Sequence, residues 1–261
     1  MDEEIADAAA GLLAMMDAVE RSPDCALRRR RARELLVSSG GRSFVDVGCG
    51  AGTALIELGL EDRSRALFGV DVNGGMLAVA RARAARAGVE CAFSEGTCGA
   101  LAMADASVDG FLAERVLQHL SDPLAALREA RRVLVGAGRV VIVELDWDAA
   151  LVDSDDREST RALVRAFTNG IPHGTIGRRL NGLLLDAGFE NVCVEPSFAL
   201  STDWDTHRWF VELLATIGRV TDALPSEAID RWLDEQQARA RNGRFCVVLP
   251  WFVASATNGA R

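Results

Sequence analysis

The chain has 261 residues and a mass of 28.0 kDa, is 49% hydrophobic and 26% charged, and carries a formal net charge of −9. That length buries a sizeable core without disulfide or metal staples. The acidic balance argues against a nucleic-acid backbone as main partner, because a broad basic face would be needed to displace counterions.

Two helices are expected first, over 3–20 and 24–38, broken near Ser22-Pro23. Ile5, Leu12, Leu13, Met16 and Val19 form a stripe on the first. The second carries Arg28 to Arg31 and Arg33, which diverge around a helix and read as a solvated face, with contact to a phosphate-bearing ligand or partner as the alternative. From Ser43 the period changes: 43–47 reads as a buried strand, 53–60 as a helix and 66–71 as a second strand. Asn73 caps a helix of 75–87, stopped by Gly88. A third strand is expected over 89–93 and a fourth over 108–113. Asp122-Pro123 opens a helix that is expected to end near Gly136 and Gly138, ahead of a fifth strand over 139–145. Beyond 148 follow helices 155–169 and 176–187, a strand 191–200, helices 204–220 and 225–241, and a final strand near 245–255. Alternating strands and helices mean an α/β fold with a parallel sheet. One domain is expected over 1–261, with a helical cap at 1–40, a cofactor-binding core at 41–148, helical lid insertions at 149–175 and 203–243, and the last strand at 244–256.

The informative segment is Asp46-Val47-Gly48-Cys49-Gly50-Ala51-Gly52, between a strand and a helix. Glycines there let the backbone turn sharply and a ligand approach closely. Asp71 ends the next strand, where an acidic side chain accepts hydrogen bonds from ribose hydroxyls. The spacing G-x-G-x-G is not the G-x-G-x-x-G of a nicotinamide or flavin site, and no G-K-[S/T] of a phosphate loop is present. Asp46 would repel a pyrophosphate, and no Lys or Arg lies between 43 and 62. The same carboxylate suits S-adenosylmethionine, which carries an ammonium, a sulfonium and no phosphate.

With these motifs the sequence resembles the class I S-adenosylmethionine-dependent methyltransferases, in the subgroup with ubiquinone- and menaquinone-type and natural-product enzymes. The resemblance is carried by Val45 to Gly52, by Gly69-Val70-Asp71 with Met76, by Glu114 to Leu120 with Asp122-Pro123, and by Leu134 through Val143. It is weaker from 151 to 261, although Ile176 to Leu180 and Phe252-Val253-Ala254 fit. It implies a Rossmann-like sheet of seven strands in the order 3-2-1-4-5-7-6, mostly parallel, with strand seven antiparallel. Gly48, Cys49, Gly50 and Gly52 would pass under the cofactor, Asp46 would hold its ammonium, Asp71 its ribose, and Val72 and Met76 its adenine. Thr97, beside Cys98, stands where the family usually places an Asp that accepts the adenine amino group. Glu114 and Arg115, at the end of strand four, could pair with each other or shape the cofactor's methionine pocket.

Methyl transfer needs alignment of acceptor and methyl carbon more than it needs a base. His119, just after strand four, is the first base candidate, with a helix-start role as its alternative. His173 is the second, in a loop. His207 is weaker. Gln118, Asp146, Trp147 and Arg178 are candidate acceptor contacts. Glu144, on the same face of strand five as Asp146, could bind an ammonium or hydroxyl of the acceptor, with a solvated strand end as the alternative for both. Trp204, Trp209, Phe210 and Trp232 could roof the acceptor pocket or be core, and Trp251 reads as core. Tyr is absent and supplies no acid or base.

Six cysteines, at 25, 49, 91, 98, 193 and 246, show no C-x-x-C spacing, so neither a zinc site nor a disulfide framework is expected and no metal is assigned. No apolar stretch reaches the roughly 18 residues of a membrane span. Free thiols and an acidic start point to the cytoplasm. The expectation is a methyltransferase acting on a small molecule, a specialised metabolite, with no nucleic-acid or membrane partner and with a homodimer left open. A domain that keeps the cofactor fold without transferring methyl, such as a cyclase-like enzyme or a ligand-binding protein, is the alternative that Thr97 permits. A nicotinamide-dependent oxidoreductase is a third reading.

Overall fold

A computed structural model describes residues 23–259, so the helix expected over 3–20 lies outside the described residues. In chain order the elements are α1 (Pro23–Val37), β1 (Ser43–Val47), α2 (Thr53–Glu61), β2 (Ala66–Asp71), α3 (Gly74–Ala87), β3 (Ala92–Glu95), β4 (Val108–Glu114), α4 (Pro123–Val133) and β5 (Leu134–Leu145). There follow β6 (Leu151–Val152), α5 (Arg157–Asn169), α6 (Leu180–Asp186), β7 (Phe189–Ser201), α7 (Trp204–Val220), α8 (Ser226–Arg241) and β8 (Val247–Asn258). The described residues divide into an α/β unit of Arg31–Asp146, Ile171–Ser197 and 251–259, and a helical unit of 23–30, Trp147–Gly170 and Phe198–Pro250.

In the α/β unit, β1 pairs in parallel with β2 and β4, β2 with β3, and β4 with β5. β8 runs antiparallel to β5, placing Glu144 opposite Phe252. The sheet order is β3-β2-β1-β4-β5-β8-β6, with β7 paired to β8 off that path. With β8 counted as the seventh strand and β7 as the sixth, this is the expected 3-2-1-4-5-7-6. The sheet has eight strands rather than seven because Leu151 and Val152 add a short pairing to Val248 and Val247. Two residues carry no readable period, so the sequence pattern does not reveal β6. Buried Val45, Phe111, Leu127, Val140, Ile142 and Ala254 form the centre of this unit's core. Central strands covered on both faces read as near-continuous apolar runs, which is why β1, β4 and β5 are legible in the sequence.

Among the boundaries that differ from the pattern, two have a cause readable in the hydrogen bonds and strand pairing. Val89 does not open β3. Gly88, at φ 63°, ends α3 in a left-handed conformation, and the Val89 and Gly88 amides donate to the Ala84 and Ala85 carbonyls. This is the helix stop in which an apolar residue after the glycine packs back, so Val89 belongs to the cap and β3 starts at Ala92. Likewise α4 ends at Val133, not near Gly136. Leu134 already pairs with Val108 of β4, so sheet pairing takes over before the glycine stop signal.

In the helical unit, Leu163 of α5, Phe210 and Leu214 of α7, and Ile229 and Trp232 of α8 are buried. A Cβ at Gly218 would lie 2.3 Å from Leu163 Cδ2, so glycine lets α7 approach α5 closely. Trp232 Nε1 donates to Thr160 Oγ1 at 2.9 Å, tying α8 to α5.

Candidate functional site

β1 delivers the chain into a bend at Gly48–Gly52. The Gly48 and Cys49 amides donate to the Val70 carbonyl at 2.7 and 3.1 Å, fastening the bend to β2. Gly48 has φ 71°, and a Cβ there would sit 2.3 Å from Val116 Cγ2, so both backbone conformation and space select glycine. Asp71, at the end of β2, accepts from the Gly50 amide through Oδ2 and from the Asn73 amide through Oδ1, each at 2.8 Å. One carboxylate thus holds the bend on one side and the start of α3 on the other. Asn73 then caps α3 by accepting from the Met76 amide at 3.1 Å.

The electrostatics of the bend are negative. Asp46 is 5% exposed. Burial, then the Asp46 carboxylate, then that of Asp71, push the Cys49 thiol far up, so Cys49 stays a neutral thiol. Both carboxylates therefore act on one loop whose own sequence lacks a cation. Such a loop opposes a pyrophosphate and attracts a cationic ligand. Bare glycine backbone, a paired Asp71 and a buried Asp46 fit S-adenosylmethionine, which is cationic and phosphate-free.

Around the bend, Val72 is 67% exposed and Met76 is half-buried. The Gly96 amide donates to the Asp71 carbonyl at 3.1 Å, which brings the loop after β3 alongside. Thr97 is exposed, and its carbonyl accepts from the Ala100 amide at 3.3 Å. Cys98 is buried, and burial with the Glu129 and Glu144 carboxylates pushes its thiol up to about 12.

β4 ends at half-buried Glu114. Arg115 follows at φ 57°, a left-handed conformation uncommon outside glycine. Its amide donates to the Val143 carbonyl at 2.8 Å, and its Nε lies 3.8 Å from Glu114 Oε1. The chain then makes a tight 3-10 turn, Leu117–His119. Gln118 is buried and His119 exposed. Partial burial and the nearby Arg115 guanidinium hold the His119 imidazole below its ordinary value, so the ring is neutral at neutral pH. The Gln118 carbonyl accepts from the His173 amide at 3.0 Å, bringing together two sequence candidates distant in the chain.

At the end of β5, Asp146 and Arg178, each offered by the sequence as an acceptor contact, pair with each other through two hydrogen bonds. Trp147 belongs to the helical unit, where it meets Phe167 edge-on at 5.0 Å and stacks on Phe210 at 5.8 Å. Glu144 Oε1 is taken up by the Val116 and Leu117 amides. Within the α/β unit the ends of β1, β2, β4 and β5 therefore gather the bend, Asp71, the 114–119 segment and Asp146 at one edge, where open α/β sheets bind ligands. Sequence reasoning misses Val116, whose methyl fills the space over Gly48, and misreads Glu144. The missing cap residue at 115–116 is the one signal that could have pointed to Glu144. Among the described residues no three His, Cys, Asp or Glu side chains are grouped to hold a metal ion, and no helix is long and apolar enough to cross a membrane.

The family described as "Methyltransferase domain" matches residues 45–142. An uncharacterized 37.1 kDa protein in transposon TN4556 of Streptomyces fradiae is 39% identical over 221 residues, covering 83% of this chain and 62% of that protein. The O-methyltransferase resE of Aspergillus sclerotiorum is 30% identical over 166 residues, 61% of this chain and 60% of that protein. The chain thus spans less than two thirds of the length of both relatives. The crystal structure of the [4+2]-cyclase SpnF shares the fold with a TM-score of 0.59 at 22% identity, over 89% of this chain and 81% of that chain. By the domain match over residues 45–142 and by the order of its sheet, the chain is similar to the class I S-adenosylmethionine-dependent methyltransferases.

Proposed function

We propose that the chain binds S-adenosylmethionine at the Gly48–Gly52 bend and transfers its methyl group to a small molecule, a specialised metabolite in class. The observation that carries this is a glycine bend with no cation in its sequence, preceded by buried Asp46 and fastened through the Gly50 amide to the Asp71 carboxylate. Bound there, the cofactor supplies a methyl group on a sulfonium, a good leaving group. The chain's own residues bind and orient. Asp71 takes the ribose hydroxyls with the lone pairs left free by Gly50 and Asn73. Asp46 holds the ammonium. Val72 and Met76 cover the adenine, with Thr97 and Cys98 at its rim. Glu114 and Arg115 border the methionine end. Neutral His119 accepts a proton from an acceptor that must lose one, and Gln118, His173 and Arg178 line the acceptor's approach.

A second reading is a cyclase-like or ligand-binding protein that holds the cofactor without transfer. The fold shared with a [4+2]-cyclase and Thr97 in place of a carboxylate favour it. Incubation with methyl-labelled cofactor and a panel of phenols, acids and amines separates the two. Transfer predicts S-adenosylhomocysteine and a labelled acceptor at turnover rates. Tight cofactor binding with no product from any acceptor moves the assignment to the second reading, and binding of NAD(P) instead of S-adenosylmethionine ends both.

A further inference from the structure

The first amides of any helical turn lack partners inside that turn and need an acceptor from outside. The turn at Leu117–His119 opens at Val116, whose side chain cannot cap it. Its cap comes from another strand. Glu144, near the end of β5, accepts from the Val116 amide at 2.8 Å and the Leu117 amide at 2.6 Å through the same oxygen, Oε1. Glu144 has no solvent exposure, and its Oε2 is buried without a hydrogen-bond partner. A buried carboxyl with one unpaired oxygen is a costly way to cap a turn. A Ser, Thr or Asp at Val116 would reach the amides of Gln118 or His119 and leave those of Val116 and Leu117 without an acceptor. What the long-range cap adds is position, because it ties the turn to a rigid central strand. The tie continues outward. The Gln118 carbonyl accepts from the His173 amide at 3.0 Å, and the His173 carbonyl accepts from the Ile176 amide at 3.0 Å.

We infer that Glu144 is a positioning residue for the transfer reaction: it fixes the turn that presents Gln118 and His119 and, through the Gln118 carbonyl, the loop that carries His173. The inference rests on the transfer reading above, since only that reading gives the turn an acceptor to face. Glu144 itself is not a catalytic residue.

The test compares the full-length wild-type chain with Glu144→Gln, which keeps an acceptor oxygen in place, and Glu144→Asp, which withdraws it by one methylene. Amide hydrogen exchange at Val116 and Leu117 and imidazole NMR signals are read in each. The chain has three histidines, so the His119 and His173 signals are assignable by substitution. Affinity for S-adenosylhomocysteine is measured by calorimetry. In Glu144→Asp, exchange at both amides is expected to accelerate by roughly tenfold or more, the loss of a hydrogen bond to a charged or strongly polar group. The His119 and His173 signals should shift while those of His207 do not. Glu144→Gln should restore wild-type exchange and signals. Unchanged exchange and imidazole signals in Glu144→Asp, or a Gln variant as perturbed as the Asp variant, overturns the positioning role. A wild-type chain that binds no S-adenosylhomocysteine overturns the transfer reading instead, a different failure read in a different measurement.

Discussion

The guanidinium of Arg178 grips the carboxylate of Asp146 with two of its nitrogens, Nε on one oxygen and a terminal nitrogen 2.6 Å from the other. Asp146 is 1% exposed at its side chain, Arg178 48%. The pair is therefore buried at one end and wet at the other. Removing the arginine leaves a buried carboxylate without its cation. Arg178→Ala should destabilise the fold by about 1–3 kcal/mol, below the value for a fully buried pair because solvent already screens Arg178. Urea unfolding of Arg178→Ala, Asp146→Asn and the double variant checks this. The double variant should cost less than the sum of the two singles, and strict additivity would dissolve the coupling.

Asp71 has two duties in the proposed site, holding backbone and meeting ribose. Asp71→Ala removes both and should weaken S-adenosylhomocysteine binding by about 1–3 kcal/mol, the cost of leaving buried donors unpaired. Calorimetry reads the effect directly, and equal affinity in the variant would remove Asp71 from the ribose contact.

Gly48 and Gly40 separate backbone strain from crowding. Both have left-handed φ, 71° and 76°, but a Cβ at Gly40 meets nothing within 4 Å, whereas one at Gly48 would run into Val116. Gly40→Ala should cost only the left-handed penalty, about 1–2 kcal/mol. Gly48→Ala should cost more and should also weaken cofactor binding, because Val116 opens the turn that leads to His119. Thermal unfolding and calorimetry of the two variants test the difference.

Stability should depend on pH through Glu144. Burial raises its carboxyl from an ordinary 4.5 to about 8, against the opposing pull of the Leu117, Gln118 and Val116 amides and the Arg115 guanidinium. The Cys98 thiol feels Glu144 in turn and is itself raised, so it stays neutral across this window. Between 4.5 and about 8 the folded chain keeps a proton that the unfolded chain has released. Stability from this group therefore falls as pH rises through that window and stays low above it. Glu144→Gln removes the dependence, so it should gain on the wild type between about pH 5 and pH 8.5 in urea midpoints. A constant difference across those values contradicts the raised carboxyl.

His119 is held neutral at neutral pH by partial burial and Arg115. With an acceptor that must lose a proton, turnover should be flat near neutrality and fall on the acid side, below the ordinary histidine value of 6.5. His119→Gln should lower kcat by roughly 100-fold and abolish that acid limb, leaving S-adenosylhomocysteine affinity unchanged. Normal turnover in this variant removes His119 as the base.

Much of the α/β framework is readable in one dimension. β1 and β2 lie at 43–47 and 66–71 as the apolar runs require, and Asn73, Gly88 and Asp122 cap or stop helices as their chemistry dictates. These features depend on neighbours a few residues apart. The misplaced start of β3 has a local cause too: Val89 is apolar whether it opens a strand or seals a helix, and only the Ala84 carbonyl distinguishes the two.

Sequence by itself determined the strand, glycine bend and acidic strand end that define the candidate cofactor site, because a tight turn and a following carboxylate are properties of a short stretch of chain. Tertiary structure alone decided who partners whom at the rim. Glu144 serves Val116 and Leu117, Asp146 serves Arg178, and Gln118 holds His173. A carboxylate near a strand end has the same spacing and hydropathy whether it faces a ligand, a guanidinium or a turn of its own backbone. Its role is fixed by which donors the fold brings within hydrogen-bond distance, and those donors come from segments remote in the chain.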